Sequence, residues 1–450
     1  MRVTIIGAGR VGLTTALALD HLGHDVSCVD SSPGVVEALR KRRLPFPDPG
    51  LEGLIAGARL KVDSSITPDA ASGEVVMVAV PTPPSPDGHA DLSAVHAVSE
   101  QVAALTPDGV HAVLAIKSTV PPGTTAGVQR LVDDKLRQRG SSARIALASN
   151  PEFLRQGSAL ADTLYPDRIV VGADDPRAQE VLRELYEPMT RQEFDAPASA
   201  PRPASCRCAA LLMTRPVNAE LIKYASNAFL ATKLSFLNEI ARLAEKLGAD
   251  IAAVARGVGL DHRIGPHYFQ AGPGWGGPCL GKDARALLAA AEDLGQEMPL
   301  LAAAVDSNAR QREHIVDRLE AELGSLRGAT IGLLGLSFKA GTDDITDSPA
   351  LDVASLLLER GARVRSYDPL AEERAKRERA ELAIEYHDCP AEMSTGCDAL
   401  VLMTDWEEFK RLSWAELAHK VRRRTVLDAR NVLDRLEMEA AGFTYLGIGR

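Results

Sequence analysis

Short β-branched runs alternate along the chain with longer stretches in which apolar residues recur every three or four positions. The runs Val3–Ile6, Val26–Val29, Val75–Val80, Ala112–Ile116, Ile145–Ala148 and Ile169–Val171 read as strands, and the stretches between them as crossover helices. This predicts a six-stranded doubly wound α/β unit over roughly the first 190 residues. The Pro/Ala-rich "DAPASAPRPASCRC" (195–208) reads as a loop or linker. Residues 217–247 then carry Ile222, Ala225, Phe229, Phe236, Ile240, Leu243 and Leu247 at helical spacing, which predicts one long amphipathic helix, with more helix to about residue 322.

Strand–helix alternation then resumes. "ATIGLLGLSF" (329–338) echoes "RVTIIGAGRV" near the start, and "ARVRSYDP" (362–369) echoes "HDVSCVDS" (24–31), each of the second pair being a strand closed by an aspartate. The expected fold is α/β, with two Rossmann-like doubly wound domains joined by a long central helix and a helical middle. The expected division is 1–190 for dinucleotide binding, 191–215 an insertion, 216–322 helical, and 323–450 a second nucleotide-type domain.

Composition narrows the class without naming a function. A chain of 450 residues with 45% hydrophobic and 25% charged residues has ample core for two or three domains. A net charge of −10 argues against a nucleic-acid or anionic-membrane partner. Six scattered cysteines are no disulfide framework, and Cys206-Arg-Cys208 lacks nearby histidines for a metal site. With "MRVTIIGAG" running straight into a strand and no apolar run long enough to span a bilayer, the expectation is a cytoplasmic protein.

Candidate chemistry begins at the first turn. Gly7-Ala8-Gly9-Arg10-Val11-Gly12 follows a strand and opens a helix, and Asp30 closes the second strand 18 residues after Gly12. The glycines admit a pyrophosphate to the helix N-terminus, and an aspartate there accepts ribose hydroxyls and repels a 2′-phosphate. NAD is therefore the expected cofactor. Ligands of such sheets bind beyond the carboxyl ends of the strands. "VPTPP" (80–84), "KSTVPPGT" (117–124) and "SNPEFL" (149–154) fall there, placing Thr82, Thr119 and Glu152 along one crevice.

On the long helix, Glu220, Lys223 and Asn227 lie three and four residues apart and share a face, which fits either a solvated surface or a cation–amide pair stabilising an oxyanion. "GPGWGGPCLGKDARALL" (272–288) puts Cys279 at the mouth of a helix after a run of glycines, with Lys282 and Asp283 behind it. A small hydrophobe in a tight turn and a nucleophilic thiolate favoured by the helix N-terminus and Lys282 are both open.

The motifs "GAGRVG", "VPTP", "STVPPGT", "NPEFLRQG", "AELIKYASNAFLATKLSFLNE", "RIG", "GWGGPCLGKD", "SFK", "TDD", "YDP" and "DARN" occur in an order that resembles the nucleotide-sugar 6-dehydrogenases. The match runs from residue 2 to about residue 435, interrupted near 191–215. The resemblance implies oxidation of a primary alcohol at C6 of a sugar nucleotide to a carboxylate, consuming two NAD and one water. UDP-glucose is the expected substrate. GDP-mannose, a UDP-N-acetylhexosamine, or a non-catalytic sugar-nucleotide binder are the alternatives.

It makes Cys279 the nucleophile that holds the aldehyde, with Lys223 and Asn227 polarising the C6 oxygen. Asp283 joins a base relay, and Glu152 acts in thioester hydrolysis with Thr119 ordering a water. Gly7, Gly9, Val11, Gly12, Asp30, Thr82, Thr119, Gln156 and Lys282 are implied for the cofactor. Glu152, Phe153, Leu154, Lys223, Asn227, Arg263, Tyr268, Phe269, Gln270, Ala271, Gly272, Gly276 and Lys339 are implied for the sugar nucleotide. Arg263 would act from a neighbouring subunit of a homo-oligomer, at least a dimer, and Arg430 would be added in the same role. Glycines 272, 274, 276 and 277 would let the chain wrap closely around sugar and nicotinamide.

The chain departs from the family pattern at Gln156 in place of a second glutamate, Val35 in place of a lysine and Thr346 in place of an arginine. It departs again at Pro278 in place of a serine and Gly281 in place of a proline.

Overall fold

The computed structural model describes residues 1–450, the side chain of Pro49 excepted. The chain divides into two compact units, residues 1–226 and 227–450. The first is built on an eight-stranded sheet: β1 (Arg2–Ile6), β2 (Asp25–Val29), β3 (Lys61–Asp63), β4 (Val75–Val78), β5 (His111–Ile116), β6 (Arg144–Ser149), β7 (Arg168–Gly172) and β8 (Ala210–Thr214). Its order is β3-β2-β1-β4-β5-β6-β7-β8. The reversal of strand order between β1 and β4 creates the crevice where such sheets take ligands.

Two of these strands escape the sequence pattern, which predicts six. Three residues of "KVD" carry no periodicity, and "ALLMT" directly follows the Pro/Ala-rich stretch, too short an apolar run to tell strand from helix. The segment read as a loop or linker thus ends in an edge strand parallel to β7, while β7 itself runs antiparallel to β6. Ala200 from that segment enters the core, and Phe194 stacks on Tyr165.

The second unit repeats the plan. Strands β9 (Thr330–Leu334), β10 (Arg363–Tyr367), β11 (Ile384–Tyr386), β12 (Ala399–Leu402), β13 (Thr425–Asp428) and β14 (Thr444–Gly447) form a parallel sheet of order β11-β10-β9-β12-β13-β14. The echo seen in sequence is structural. Gly7 (φ +99°) donates its N–H to Val29, and Gly335 (φ +97°) donates to Tyr367, both at 2.8 Å. Asp30 accepts the N–H of Ala8 just as Asp368 accepts that of Leu336, each at 2.7 Å.

The central helix spans Pro216–Leu247. Its small residues Ala231, Ala241 and Ala244 and its Leu237 are buried, whereas Phe229, Phe236, Leu243 and Leu247 are half or more exposed. Helices Ile251–Gly259, Leu280–Asp293 and Pro299–Leu323 follow.

Candidate active site

The first unit carries the cofactor turn. A β-carbon on Gly7 would lie 2.6 Å from the Ala79 carbonyl oxygen, and one on Gly12 would lie 1.8 Å from that of Gly7. These two glycines lock the turn against β4 and the helix Arg10–His21. Gly9, by contrast, would point a β-carbon into open space at the helix start, where a pyrophosphate needs room. Asp30 is oriented by the N–H groups of Ala8 and Ser32, which leaves carboxylate lone pairs for ribose hydroxyls. Val11 lies in the first turn of that helix, whose first turn holds no acidic residue. This cradle fits a dinucleotide.

Thr82 donates its hydroxyl to the Thr119 carbonyl at 2.9 Å, so the loops after β4 and β5 meet. Beyond β6, the Glu152 carboxylate accepts Lys223 Nζ at 3.0 Å and the Leu154 N–H at 2.5 Å, with Glu152 and Lys223 both buried. Burial alone would push the Glu152 carboxyl up. The Lys223 ammonium, the Leu154 N–H and the charge of Lys117 outweigh it and hold the carboxyl below its ordinary value. The Phe153 ring lies under the Arg168 guanidinium at 3.9 Å and near Lys223 Nζ at 5.4 Å, so it is packed by cations of its own unit. Gln156 is half-buried just before the helix Ala159–Leu164.

The solvated face allowed for Glu220, Lys223 and Asn227 is ruled out, since all three side chains are buried. Glu220 has an architectural task. Its carboxylate accepts the N–H groups of Gly123 and Thr125 and the Thr125 hydroxyl, capping the helix Thr124–Gln138.

In the second unit, Cys279 occupies the N-cap position of the helix Leu280–Asp293 and is exposed. Asp283, one turn on, is buried and accepts Asn227 Nδ2 on one oxygen and Lys282 Nζ on the other, each at 2.6 Å. Lys282 thus directs its ammonium to Asp283, and the helix N-terminus favours a thiolate at Cys279.

Three of the glycines in the run also answer to the protein's own packing. A β-carbon would meet Asn308 Oδ1 at 2.6 Å from Gly274, the Asp347 carbonyl oxygen at 2.2 Å from Gly276, and the Phe338 ring at 2.7 Å from Gly277. These glycines let the loop press on the protein itself. Gly272 has more room, its nearest neighbour being the Ala429 carbonyl at 3.4 Å. Trp275 is clamped by Asn308, which accepts its N–H and donates to its carbonyl, and its indole donates to Ser235.

Phe269 and Ala271 turn their side chains to the core. Gln270 is exposed, and Tyr268 takes φ +56° within electrostatic reach of Cys279 and Arg430. Arg430 donates to the carbonyls of Met403 and Phe338, and Lys339 Nζ lies 5.9 Å from the Phe338 ring. The "SFK" and "DARN" segments thus meet at Phe338, with Tyr268 near Arg430 and Gly272 near Ala429. Exposed Arg263 makes a bidentate pair with Asp261.

Sequence reasoning missed Lys117, Asn150 and Lys233. The last donates to the carbonyls of Ile264, Gly265 and His267 and so fixes the loop that bears Arg263 and Tyr268. The signal for the first two was their place, directly after β5 and β6.

A sheet of this order with a glycine turn at its first helix and an aspartate after its second strand defines a dinucleotide-binding protein of the Rossmann type. The chain belongs to the UDP-glucose/GDP-mannose dehydrogenase family. The family's NAD binding domain matches residues 1–190, its central domain 217–310 and its UDP binding domain 332–435. NAD is its cofactor, and its activity is that of an NAD-dependent dehydrogenase. The chain is 41% identical over 461 residues to a UDP-glucose 6-dehydrogenase of Rhizobium meliloti (strain 1021), with 100% of both chains covered. It resembles the solved structure of a UDP-glucose dehydrogenase from Pyrobaculum islandicum, with TM-score 0.87, 38% identity, and 100% and 97% of the two chains covered. A UDP-D-ManNAc dehydrogenase from Pyrococcus horikoshii is similar at TM-score 0.83 and 26% identity, covering 100% and 99%. Among the described residues, no helix is long and apolar enough to cross a membrane.

Proposed function

We propose that the protein oxidises UDP-glucose at C6 to UDP-glucuronate in two successive dehydrogenations. The observation that carries this reading is the thiol of Cys279 at a helix start, one turn from an Asp283 carboxylate held by an amide and a lysine. Bound NAD accepts a hydride from the sugar carbon in each oxidation. The remaining chemistry is assigned to the chain's own groups.

Lys223 and Asn227 stabilise the C6 oxygen as it gains negative charge, and a carboxylate relay through Asp283 takes the hydroxyl proton. The Cys279 thiolate adds to the aldehyde carbon, and the resulting oxyanion takes up a proton. Loss of a second hydride and that proton gives a thioester. Water, ordered by Thr119 and deprotonated with the help of Glu152, breaks the C–S bond, releasing the carboxylate and returning the thiol. Thr82, Gln156 and Lys282 are assigned to the cofactor. Phe153, Leu154, Arg263, the segment Tyr268–Gly272, Gly276 and Lys339 are assigned to the sugar nucleotide, with Arg263 serving a second copy of the chain. A relative over the full chain named for UDP-glucose favours that substrate over an N-acetylated one, whose named relative stands at 26% identity.

The test is to offer UDP-glucose, GDP-mannose and UDP-N-acetylglucosamine with NAD and count NADH per acid. Two NADH per uronate from UDP-glucose is the expected result, and Cys279→Ser stalls before acid is released. One NADH per turnover, or full acid production by Cys279→Ser, refutes the reading.

A further inference from the structure

Lys117 follows β5 directly, and its main-chain N–H is fixed on the Val78 carbonyl at 2.9 Å. Its side chain, instead of reaching for solvent as lysines do, ends inside the first unit with 7% of the residue exposed. Nζ donates to Asn150 Oδ1 at 3.2 Å and lies 6.0 Å from the Tyr186 ring. The Asn150 amide cannot turn round, because its Nδ2 donates to the Val170 carbonyl at 2.9 Å. Its Oδ1 also accepts the buried Tyr186 hydroxyl.

The charged and titratable groups facing Lys117 come from three elements: Glu152 after β6, Tyr186 on the helix Pro176–Arg191, and Lys223 on the central helix. Arg168 of β7 lies beyond, on Phe153. Two buried ammonium groups therefore act on one buried carboxylate, Lys223 by direct contact and Lys117 through its charge. A residue kept for packing alone would be apolar there, since burying an ammonium with one neutral acceptor is costly.

We propose that Lys117 is a positioning residue: its buried ammonium, anchored on Asn150, is the second cation that holds Glu152 ionised and paired with Lys223. The inference deepens the proposed function and rests on the roles given there to Glu152 and Lys223. Burial, and then the charge of Lys223, push the Lys117 ammonium down to about 8. The site therefore loses this cation just above neutrality; Glu152 stays ionised there, but it is then positioned by Lys223 alone, and turnover declines as that pair loosens.

The test is kcat against pH from 6 to 10 for the wild type, Lys117→Arg, Lys117→Met and Tyr186→Phe. The wild type is expected to show an alkaline fall centred near pH 8. Lys117→Arg, whose charge persists, abolishes that fall while retaining turnover. Lys117→Met turns over at least tenfold more slowly at pH 7, with its acid limb moved to higher pH. Tyr186→Phe, which frees Asn150 Oδ1 for the ammonium, moves the fall upward. An alkaline limb unchanged in Lys117→Arg and Tyr186→Phe overturns the proposal.

Thermal unfolding gives a second readout that needs no activity. An ammonium whose folded value lies below the ordinary 10.5 costs stability while it is protonated, and the cost fades as pH rises between the two values. The Tm of the wild type should gain on that of Lys117→Met from pH 8 to 10, and a constant difference overturns the proposal. If the wild type oxidises no sugar nucleotide at all, the functional reading fails, and this stability comparison still decides whether the buried cation exists.

Discussion

Gly277 sits at φ +87° with Phe338 ring atoms 2.7 Å from where a β-carbon would stand. Both obstacles belong to the protein, so replacement should damage the fold before it damages any ligand contact. Gly277→Ala is expected to cost about 2–5 kcal/mol, summing a left-handed backbone penalty and an overpacked ring. Urea unfolding of the purified variant measures this directly. Unchanged stability with weakened sugar-nucleotide binding would instead restore the view that the glycine serves a ligand. Cys279 is where residue identity and position agree most closely. A thiol next to a helix N-terminus was visible from the spacing of the chain, but the partner of Lys282 was not, because adjacent residues on a helix do not ordinarily face one another. Only the folded structure shows that its ammonium turns to Asp283.

Among the elements, the helix Thr124–Gln138 depends on a residue 95 positions away. Gly123 and the first turn offer unpaired N–H groups with no capping side chain of their own, and Glu220 supplies the missing acceptor. Glu220→Ala strips three hydrogen bonds from a buried helix start and should lower stability by about 2–4 kcal/mol, read from the denaturant midpoint. A loss under about 0.5 kcal/mol would mean that water caps the helix equally well. Such long-range caps explain which parts of the fold were legible. Six strands, the glycine turn, the closing aspartates and the long helix announce themselves by local pattern. Strands Lys61–Asp63 and Ala210–Thr214 do not, since each takes its structure from the neighbour it pairs with. The buried polar residues Glu220, Lys223 and Asn227 were legible as one helix face. The tasks that divide that face, Glu220 to a cap and Lys223 to Glu152, depend on what the other elements present.

At the scale of the whole molecule, the central helix leaves a row of large apolar side chains outside. Phe229, Phe236 and Leu243 follow one another at intervals of seven residues, with 68%, 52% and 50% of each exposed. A repeat of seven keeps a stripe on one side of a helix, the spacing by which two helices pack along their length. Leaving such side chains in water costs about 1.5–3 kcal/mol each relative to burial, and a stripe of this size calls for a partner surface. We propose that a second copy of the chain covers it, which is also what a nucleotide-binding role for Arg263 across a subunit boundary requires. Light scattering after gel filtration should give twice the chain mass for the wild type. Phe229→Glu with Phe236→Glu should give the single-chain mass, since each places a charge in the seam. The same double variant should raise KM for the sugar nucleotide if Arg263 acts on the neighbouring copy, while a monomer with unchanged KM would confine Arg263 to its pair with Asp261. A wild type of single-chain mass at micromolar concentration would remove the helix as a subunit contact altogether.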